Sequence, residues 1–292
     1  MTAEPEQFTY TSRDGATISA YRWAPDGPPR GVVQLAHGMG EHVMRYAPLA
    51  RALTDVGFLV AGQDHRGHGT TSPDSPGEIG AAGWTELVND IHLLTERLRT
   101  DHPGLPLVLV AHSMGSFAAQ QNVLDHSDEI DGLALTGTAA LDLLEPALDL
   151  DQPIDLAMFN APFAPARTDY DWLSRDEEQV DLYVADPRCG FGLDGDAGKA
   201  MFVGARQLAE PARMAGIRDD LPVYIGVGDQ DPVNGNLALV HPLVARLRDA
   251  GLRDVTLHAY PGARHEVFNE TNREEVVGDL IAWLDRVVPS RA

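Results

Sequence analysis

The segment "LPLVLVAHSMGSFAAQQ", residues 105–121, decides the fold of this chain. Its first part is a short apolar run, typical of a strand buried on both faces of a parallel sheet. Its last part has a helical composition, and Ser113 lies between the two with Ala111 and Gly115 around it. Small residues two positions before and after a serine suit a sharp strand-to-helix turn, because larger side chains would meet neighbouring backbone. The segment predicts a strand, a tight turn that lifts Ser113 out of the sheet, and a helix; a helix N-cap is the alternative role for this serine.

The rest of the chain repeats this alternation of strand and helix. Residues around Asp14-Gly15 predict an antiparallel hairpin, and after it five more short apolar runs occur, at 31–37, 57–64, 131–137, 221–228 and 254–262. Amphipathic helical patterns occur at 46–57, 84–101, 236–251 and 272–288. Strands that alternate with helices predict an α/β fold with a mostly parallel central sheet and helices on both faces.

One long stretch breaks the alternation. Residues 138–215 contain no clear strand pattern and are rich in Asp, Pro, Phe and Leu. A structureless loop of this length is uncommon inside a compact domain, so we expect a helical insertion. It should lie over the edge where α/β sheets bind ligands, the carboxyl ends of the strands. The predicted division is a core of residues 1–137 and 216–292 with an inserted cap of residues 138–215.

Composition excludes several classes of partner. The chain has 292 residues, 43% of them hydrophobic, and a formal net charge of −22, which argues against binding nucleic acid or anionic membranes. No apolar run approaches the ~20 residues of a membrane helix, so stable membrane insertion is not expected. The first residues lack the features of a signal peptide, and Cys189 is the only cysteine, so we predict a cytoplasmic protein without an intrachain disulfide. Both a monomer and a homodimer are compatible with the sequence.

A serine becomes a nucleophile only with a base and an orienting carboxylate. In folds with this strand–turn–helix they follow the serine in the order acid, then histidine. Asp231 follows the predicted strand 221–228, and His265 follows the predicted strand 254–262. Asp229 competes for the role of the acid, but the pattern Gly-x-x-Asp-Pro-Val favours Asp231 and leaves Asp229 as a turn former.

Two glycine-containing loops carry further candidates. The loop "HGMGEH", residues 37–42, lets the backbone approach an oxyanion, so the N–H groups of Met39 and Met114 are candidate donors. An ordinary glycine turn is the alternative. The loop "DHRGHGTTS", residues 64–72, contains Asp64, His65 and His68, which suggests a metal, but no further ligand follows at a recognisable spacing. We interpret it as a structural loop and predict no metal site and no cofactor.

Five motifs occur in one order: "HGMGEH", "DHRGHGTTS", "AHSMGS", "GDQDPV" and "YPGARHEVFNE". In this order they resemble the α/β-hydrolase superfamily, most closely its monoacylglycerol lipase/lysophospholipase-like branch of serine hydrolases. The resemblance implies a catalytic triad of Ser113, Asp231 and His265, an oxyanion hole formed by the backbone of Met39 and Met114, and a cap that bears the acyl-binding surface. Ala111 replaces a glycine of the family's elbow motif, and the cap does not align residue by residue.

The cap sequence indicates a hydrophobic substrate. Phe159, Phe163, Trp172 and Phe191 are candidates to line an apolar cleft, although each of them could instead belong to the cap's own core. No arginine cluster for a phosphate head group is recognisable. We therefore expect a serine carboxylic-ester hydrolase for an uncharged ester with a hydrophobic acyl or aryl arm, with monoacylglycerol-like substrates favoured. An esterase for phthalate-type monoesters and a non-catalytic small-molecule binding protein are the alternatives.

Overall fold

The centre of the molecule is a single β-sheet. In this computed structural model, which describes residues 4–288, the sheet has eight strands: β1 (Glu6–Thr11), β2 (Thr17–Trp23), β3 (Gly31–Ala36), β4 (Phe58–Gln63), β5 (Leu107–His112), β6 (Gly132–Thr136), β7 (Val223–Gly228) and β8 (Val255–Tyr260). Their order is β1-β2-β4-β3-β5-β6-β7-β8. The pairs β1–β2 and β2–β4 are antiparallel, and all other pairs are parallel. The predicted mostly parallel α/β sheet is confirmed.

Helices cover both faces of this sheet. The α-helices within the described residues are α1 (Ala47–Asp55), α2 (Gly80–Asp101), α3 (Met114–His126), α4 (Glu177–Ala185), α5 (Gly195–Ala205), α6 (Pro211–Met214), α7 (Val240–Asp249) and α8 (Arg273–Val287). Successive side chains of a strand point to opposite faces. In β5, Leu107 and Leu109 accordingly pack with α2, α3 and α7, while Val108 and Val110 pack with α1 and α8. Within residues 4–288, none of the helices is both long and apolar enough to cross a membrane.

Strand β8 differs from the expectation that the apolar runs are buried on both faces. It pairs with β7 at one end of the sheet, and its residues 255–258 are only partly buried while Ala259 is exposed. An edge strand has a neighbour on one side only, so less of its surface is covered. Alternating residues in "VTLHAY" are polar for the same reason.

The segment 138–215 is helical, and all its residues are described. It contains α4, α5, α6 and several 3₁₀ turns, and no strand. Three of its many aspartates are N-caps: Asp155, Asp176 and Asp194 each accept a backbone N–H in the first turn that follows. Such caps satisfy N–H groups that a helix leaves free at its start. N-capping thus accounts for part of the high aspartate content of this segment.

This segment contacts the loops at the carboxyl ends of the parallel strands. The Tyr183 hydroxyl donates to the carbonyl of Gly40, in the loop after β3, at 2.8 Å. The N–H of Glu266, in the loop after β8, donates to the carbonyl of Leu173 at 2.7 Å. The contacts bring residues 138–215 beside the loops that carry the predicted site residues.

Candidate active site

Ser113 lies at the turn between β5 and α3. Its backbone has φ 49° and ψ −122°, a region that residues other than glycine rarely adopt. Ser113 is half-buried, whereas its immediate neighbours in β5 and α3 are buried. A Cβ at Gly115 would lie 2.4 Å from the carbonyl oxygen of Ala36, so the turn needs glycine there. The turn thus packs against the end of β3 and turns the serine outward, as the opening segment predicts.

His265 and Asp231 are brought together from the loops after β8 and β7. The two side chains join through His265 Nδ1 and Asp231 Oδ2 at 2.9 Å, and the Asp231 side chain is fully buried. The other Asp231 oxygen accepts the N–H of Val233 at 2.9 Å. Burial alone lowers the pKa of His265, but the charge of Asp231 and its hydrogen bond outweigh it, so the pKa is raised above its usual value. The orientation of the imidazole is therefore held by a buried carboxylate.

Asp229, the competing acid, occupies a different position. Its Oδ1 accepts the N–H of Gly262 at 2.8 Å and the side-chain amide of Gln230 at 3.1 Å. These bonds link the loops after β7 and β8 without using the imidazole. Of the two aspartates, Asp231 is therefore the one that contacts His265.

The glycine loop after β3 faces the same site. The N–H of Gly38 donates to Glu41 Oε1 at 2.6 Å, and the N–H of Gly40 donates to His68 Nε2 at 3.1 Å. The peptide between them is that of Met39, and Met39 and Met114 both line the cavity that contains Ser113. Hydrogen bonds from Gly38 and Gly40 therefore fix the backbone on both sides of Met39, whose N–H is the candidate donor.

A buried charged network joins this loop to the histidine loop, and the sequence did not predict it. Arg45 donates to Glu41 Oε2 at 2.6 Å and to Glu266 Oε2 at 2.7 Å, and the Tyr46 hydroxyl donates to Glu41 Oε1 at 2.7 Å. Burial raises the pKa of Glu41, and the Arg45 charge only partly offsets this. Burial also raises the pKa of Glu266, but Arg45 outweighs burial there and lowers it to about 2. The sequence offered one signal for this network: Glu266 directly follows His265 in "ARHEV", and Glu41 lies in the same loop as Met39 in "HGMGEH".

The ring of His68 contacts backbone, whereas Nδ1 of His65 lies 3.4 Å from the side-chain amide of Gln63. His68 Nδ1 lies 2.8 Å from the carbonyl of Arg66, and its Nε2 accepts the Gly40 N–H. Asp64 accepts the N–H of Val43 at 3.0 Å and that of Thr70 at 2.7 Å. Burial lowers the pKa of His65 to about 3 and that of His68 to about 4, so both rings are neutral at pH 7. These contacts fit the structural-loop interpretation.

Ser113 and His265 open onto an apolar cavity whose empty space, with the open solvent at its mouth included, is about 580 Å³. Two of the four aromatic candidates, Phe159 and Trp172, line it, and the Trp172 ring lies 4.9 Å from the His265 ring. The other two lie elsewhere: Phe163 packs under the guanidinium of Arg264 at 4.3 Å, and Phe191 packs against His68 at 5.0 Å. Most of the apolar lining from residues 138–215 was not singled out from the sequence: Leu141, Leu144, Leu148, Ile154, Leu156, Met201 and Phe202. The sequence around a leucine in a helical segment does not show whether its side chain lines a cavity or packs in the core.

The sheet order, the turn at Ser113 and the carboxyl-edge location of the site define an α/β hydrolase. A family model described as Hydrolase_4, serine aminopeptidase, S33, matches residues 27–272, and the chain belongs to this family. The chain is therefore a hydrolase of a family in which a serine nucleophile is typical.

Three similar proteins illustrate the relationship. The monoacylglycerol lipase of Mycolicibacterium smegmatis is 34% identical over 288 residues, which cover 95% of this chain and 96% of the relative. The monoglyceride lipase of Mus musculus is 30% identical over 278 residues, with 93% and 88% covered. The crystal structure of a highly thermostable carboxyl esterase from Bacillus coagulans in complex with glycerol has a TM-score of 0.86 and 28% identity, covering 98% of this chain and 100% of the esterase.

Proposed function

We propose that this protein hydrolyses uncharged carboxylic esters with a hydrophobic acyl or aryl arm, with monoacylglycerol-like esters favoured, through an acyl-enzyme. The observation that carries the proposal is that Ser113 and His265 face one apolar cavity, while the buried Asp231 contacts His265 from behind. The names of the similar lipases and of the similar carboxyl esterase support an ester as the substrate.

In the proposed acylation step, the Ser113 oxygen attacks the ester carbonyl carbon while His265 accepts the hydroxyl proton. The imidazolium that forms is stabilised by Asp231, which lies 2.9 Å from Nδ1 and so leaves Nε2 for the serine. His265 then gives the proton to the leaving alkoxide, and the alcohol departs. The raised pKa of His265 suits a residue that must hold this proton briefly.

The N–H groups of Met39 and Met114 are the proposed donors to the tetrahedral oxyanion. Met114 is the first residue of α3, where the helix dipole and free N–H groups favour a negative charge. In the second half of the reaction, water activated by His265 attacks the acyl-enzyme, and the acid is released. Loss of one such donor from an oxyanion hole costs ~10²–10³ in kcat.

The lining of the cavity supports an apolar, uncharged acyl arm. Its polar edge includes Glu41 and Glu266, and the low pKa of Glu266 keeps that carboxylate charged. A phthalate-type monoester would place its free carboxylate among the apolar side chains of the lining, where a charge without a partner is costly to bury, so we rank it below a monoacylglycerol. The carboxylate oxygens of the two glutamates can instead accept hydrogen bonds from the hydroxyl groups of a neutral alcohol.

We further propose that residues 138–215 act as a cap that carries the acyl-binding surface, on a core of residues 1–137 and 216–292. The leucines and Phe202 that line the cavity come from this segment. Residues 1–3 and 289–292 lie outside the described residues. A cytoplasmic location and a monomeric or homodimeric state stay predictions. Size-exclusion chromatography with light scattering tests the oligomeric state.

The proposal is tested with Ser113→Ala and with Ser75→Ala, a serine outside the cavity lining, as the matched control. Hydrolysis of p-nitrophenyl esters should fall by ~10⁴-fold or more in the first variant and stay unchanged in the second. A fluorophosphonate should label wild type and Ser75→Ala stoichiometrically and leave Ser113→Ala unlabelled. Turnover that survives in a folded Ser113→Ala protein would refute the mechanism. Failure of wild type to label would favour the non-catalytic binding protein.

A substrate panel then tests the specificity. Release of glycerol from 1-monoacylglycerols of several chain lengths is compared with hydrolysis of a phthalate monoalkyl ester of similar hydrophobicity. We expect kcat/KM to be highest for the neutral glycerol esters. A higher kcat/KM for the phthalate ester would contradict the argument from the cost of burying its free carboxylate.

A further inference from the structure

The second cluster of titratable groups lies far from Ser113, at the other end of α3. His92 is on α2, His126 is the last residue of α3, and Glu129 is in the 3₁₀ turn that follows. Helix α3 has 13 residues, so the cluster is ~20 Å from the nucleophile turn. The proposed hydrolysis makes no use of these residues, so their arrangement needs a reason of its own.

One carboxylate faces both imidazoles. Glu129 Oε2 lies 3.4 Å from His92 Nδ1, and Glu129 Oε1 lies 3.4 Å from His126 Nδ1. The three ligand atoms are all within 4.8 Å of one another. In a tetrahedral site with bonds of ~2.1 Å, neighbouring ligand atoms are ~3.4 Å apart. The two carboxylate–imidazole distances are thus longer than an ordinary hydrogen bond and close to this ligand–ligand distance.

His92 supplies a separate observation. Its side chain is 4% exposed, yet its Nδ1, which faces Glu129, has no hydrogen-bond partner among residues 4–288. A buried polar atom without a partner costs free energy and calls for an explanation such as an ion. On the opposite side of the ring, Nε2 lies 3.7 Å from Glu96, the position from which a carboxylate orients a ligating histidine.

We propose that Nδ1 of His92, Nδ1 of His126 and the carboxylate of Glu129 bind one divalent transition-metal ion of the zinc class. Two imidazoles and a carboxylate suit Zn²⁺, Co²⁺ or Ni²⁺, whereas Mg²⁺ and Ca²⁺ prefer oxygen ligands alone. The ion would link the carboxyl-terminal part of α3 to α2. This site is independent of the proposed ester hydrolysis.

The geometry sets one requirement for binding. The two rings are stacked, with centroids 3.6 Å apart and an angle of 17° between their planes. A metal lies close to the plane of each imidazole that binds it, so the rings must open from this stack. His126 is the side chain that can move, because it is 30% exposed whereas His92 is buried.

The charges around the site favour a cation. Glu129 and Glu96 both lie beside His92, and Arg13 opposes them. Arg99 donates to the backbone carbonyl of Glu129 at 2.9 Å and so fixes the turn that carries the carboxylate.

The test is a calorimetric titration of the full chain with Zn²⁺, after treatment with a chelator and in a buffer without phosphate. Wild type should bind one Zn²⁺ at this site. His126→Gln, a partly exposed position, should weaken binding by ~100-fold, because even outer residues of metal sites contribute 10–100-fold. His241→Gln, an exposed histidine on α7, is the matched control and should bind as wild type does.

A second group, His42 with Asp186 and Cys189, is the competitor for the same ion. Cys189→Ser separates the two sites, and Co²⁺ reports the ligands, because a thiolate ligand adds an intense near-ultraviolet band. We expect no such band and unchanged binding in Cys189→Ser. Binding that survives His126→Gln, binding that is lost in Cys189→Ser, or no binding by wild type would each overturn the proposal.

Stability gives a readout that does not depend on catalysis. At a hundredfold excess over Kd, Zn²⁺ should raise the Tm of wild type by ~5 °C and leave that of His126→Gln unchanged. Mg²⁺ at the same concentration should have no effect on either protein. An equal rise of Tm in both proteins would show that the ion acts elsewhere.

Discussion

Gly115→Ala tests whether the serine turn and the oxyanion loop are packed as one unit. Gly115 is in the first turn of α3 and, as a glycine, has no side chain that could line the cavity. A Cβ at this position would lie 2.4 Å from the carbonyl oxygen of Ala36 and 2.5 Å from that of His37. Contacts below 3.0 Å essentially do not occur for real Cβ atoms, and both obstacles are backbone. The end of β3 or the start of α3 must therefore move.

The size of the effect follows from that overlap. Relief requires a shift of ~0.6–1 Å, and overpacking of this kind costs ~1–3 kcal/mol of unfolding free energy. His37 leads directly into the loop with Met39, so the shift separates the proposed oxyanion donors from Ser113. A displacement of ~1 Å in a catalytic site lowers the rate by ~10²-fold. We expect kcat to fall by about that factor and Tm to fall by ~5 °C.

Gly278→Ala is the matched control, because it makes the same chemical change inside another helix. No atom lies within 4 Å of a Cβ at Gly278, in the interior of α8. Alanine should stabilise this helix by ~1 kcal/mol without affecting kcat. Differential scanning calorimetry and p-nitrophenyl ester kinetics measure both variants. If Gly115→Ala keeps the Tm and the kcat of wild type, the inferred packing of the two loops is wrong.

Three further results are expected. Ester kcat/KM should fall as pH drops through the pKa of His265, because a protonated imidazole cannot accept a proton. Asp231→Asn removes the charge that raises this pKa, so the acid limb of the pH profile should move to lower pH. The plateau of the profile should also fall by ~10⁴-fold. An acid limb that does not move would contradict this pairing. Leu148→Trp fills part of the cavity, so kcat/KM for long acyl chains should drop ~10-fold relative to butyrate, and an unchanged ratio would exclude that wall from acyl binding. Arg66→Met leaves the fully buried Asp90 side chain without its guanidinium partner, so urea unfolding should show a loss of ~3–5 kcal/mol; a loss below ~1 kcal/mol would show that Asp90 protonates at little cost.

The strand and helix order was predictable because each element carries its own periodicity. Every apolar run singled out after the hairpin is a strand, from β3 at Gly31–Ala36 to β8 at Val255–Tyr260. The exposure of β8 was not predictable, because whether a strand lies at the edge or in the centre of a sheet depends on which other strands pair with it. The Ser113 turn was predictable because its steric rule acts over five residues.

The cavity wall was the least predictable part of the site. Phe163 and Phe191 have the same composition signal as Phe159 and Trp172, yet Arg264 and His68 hold the first two away from the cavity lining. In helical segments without a regular stripe, the direction of a side chain depends on how several short turns pack together. Aromatic content therefore indicated an apolar site without identifying its walls.

What the sequence by itself determined is the set of reactive groups and the order in which the chain presents them, because turns, caps and strand periodicity act between residues close in sequence. Tertiary structure alone decided how Arg45 joins Glu41 to Glu266 and which apolar side chains face the cavity. These pairings span up to 221 residues of chain, and only packing can bring such groups within hydrogen-bond distance.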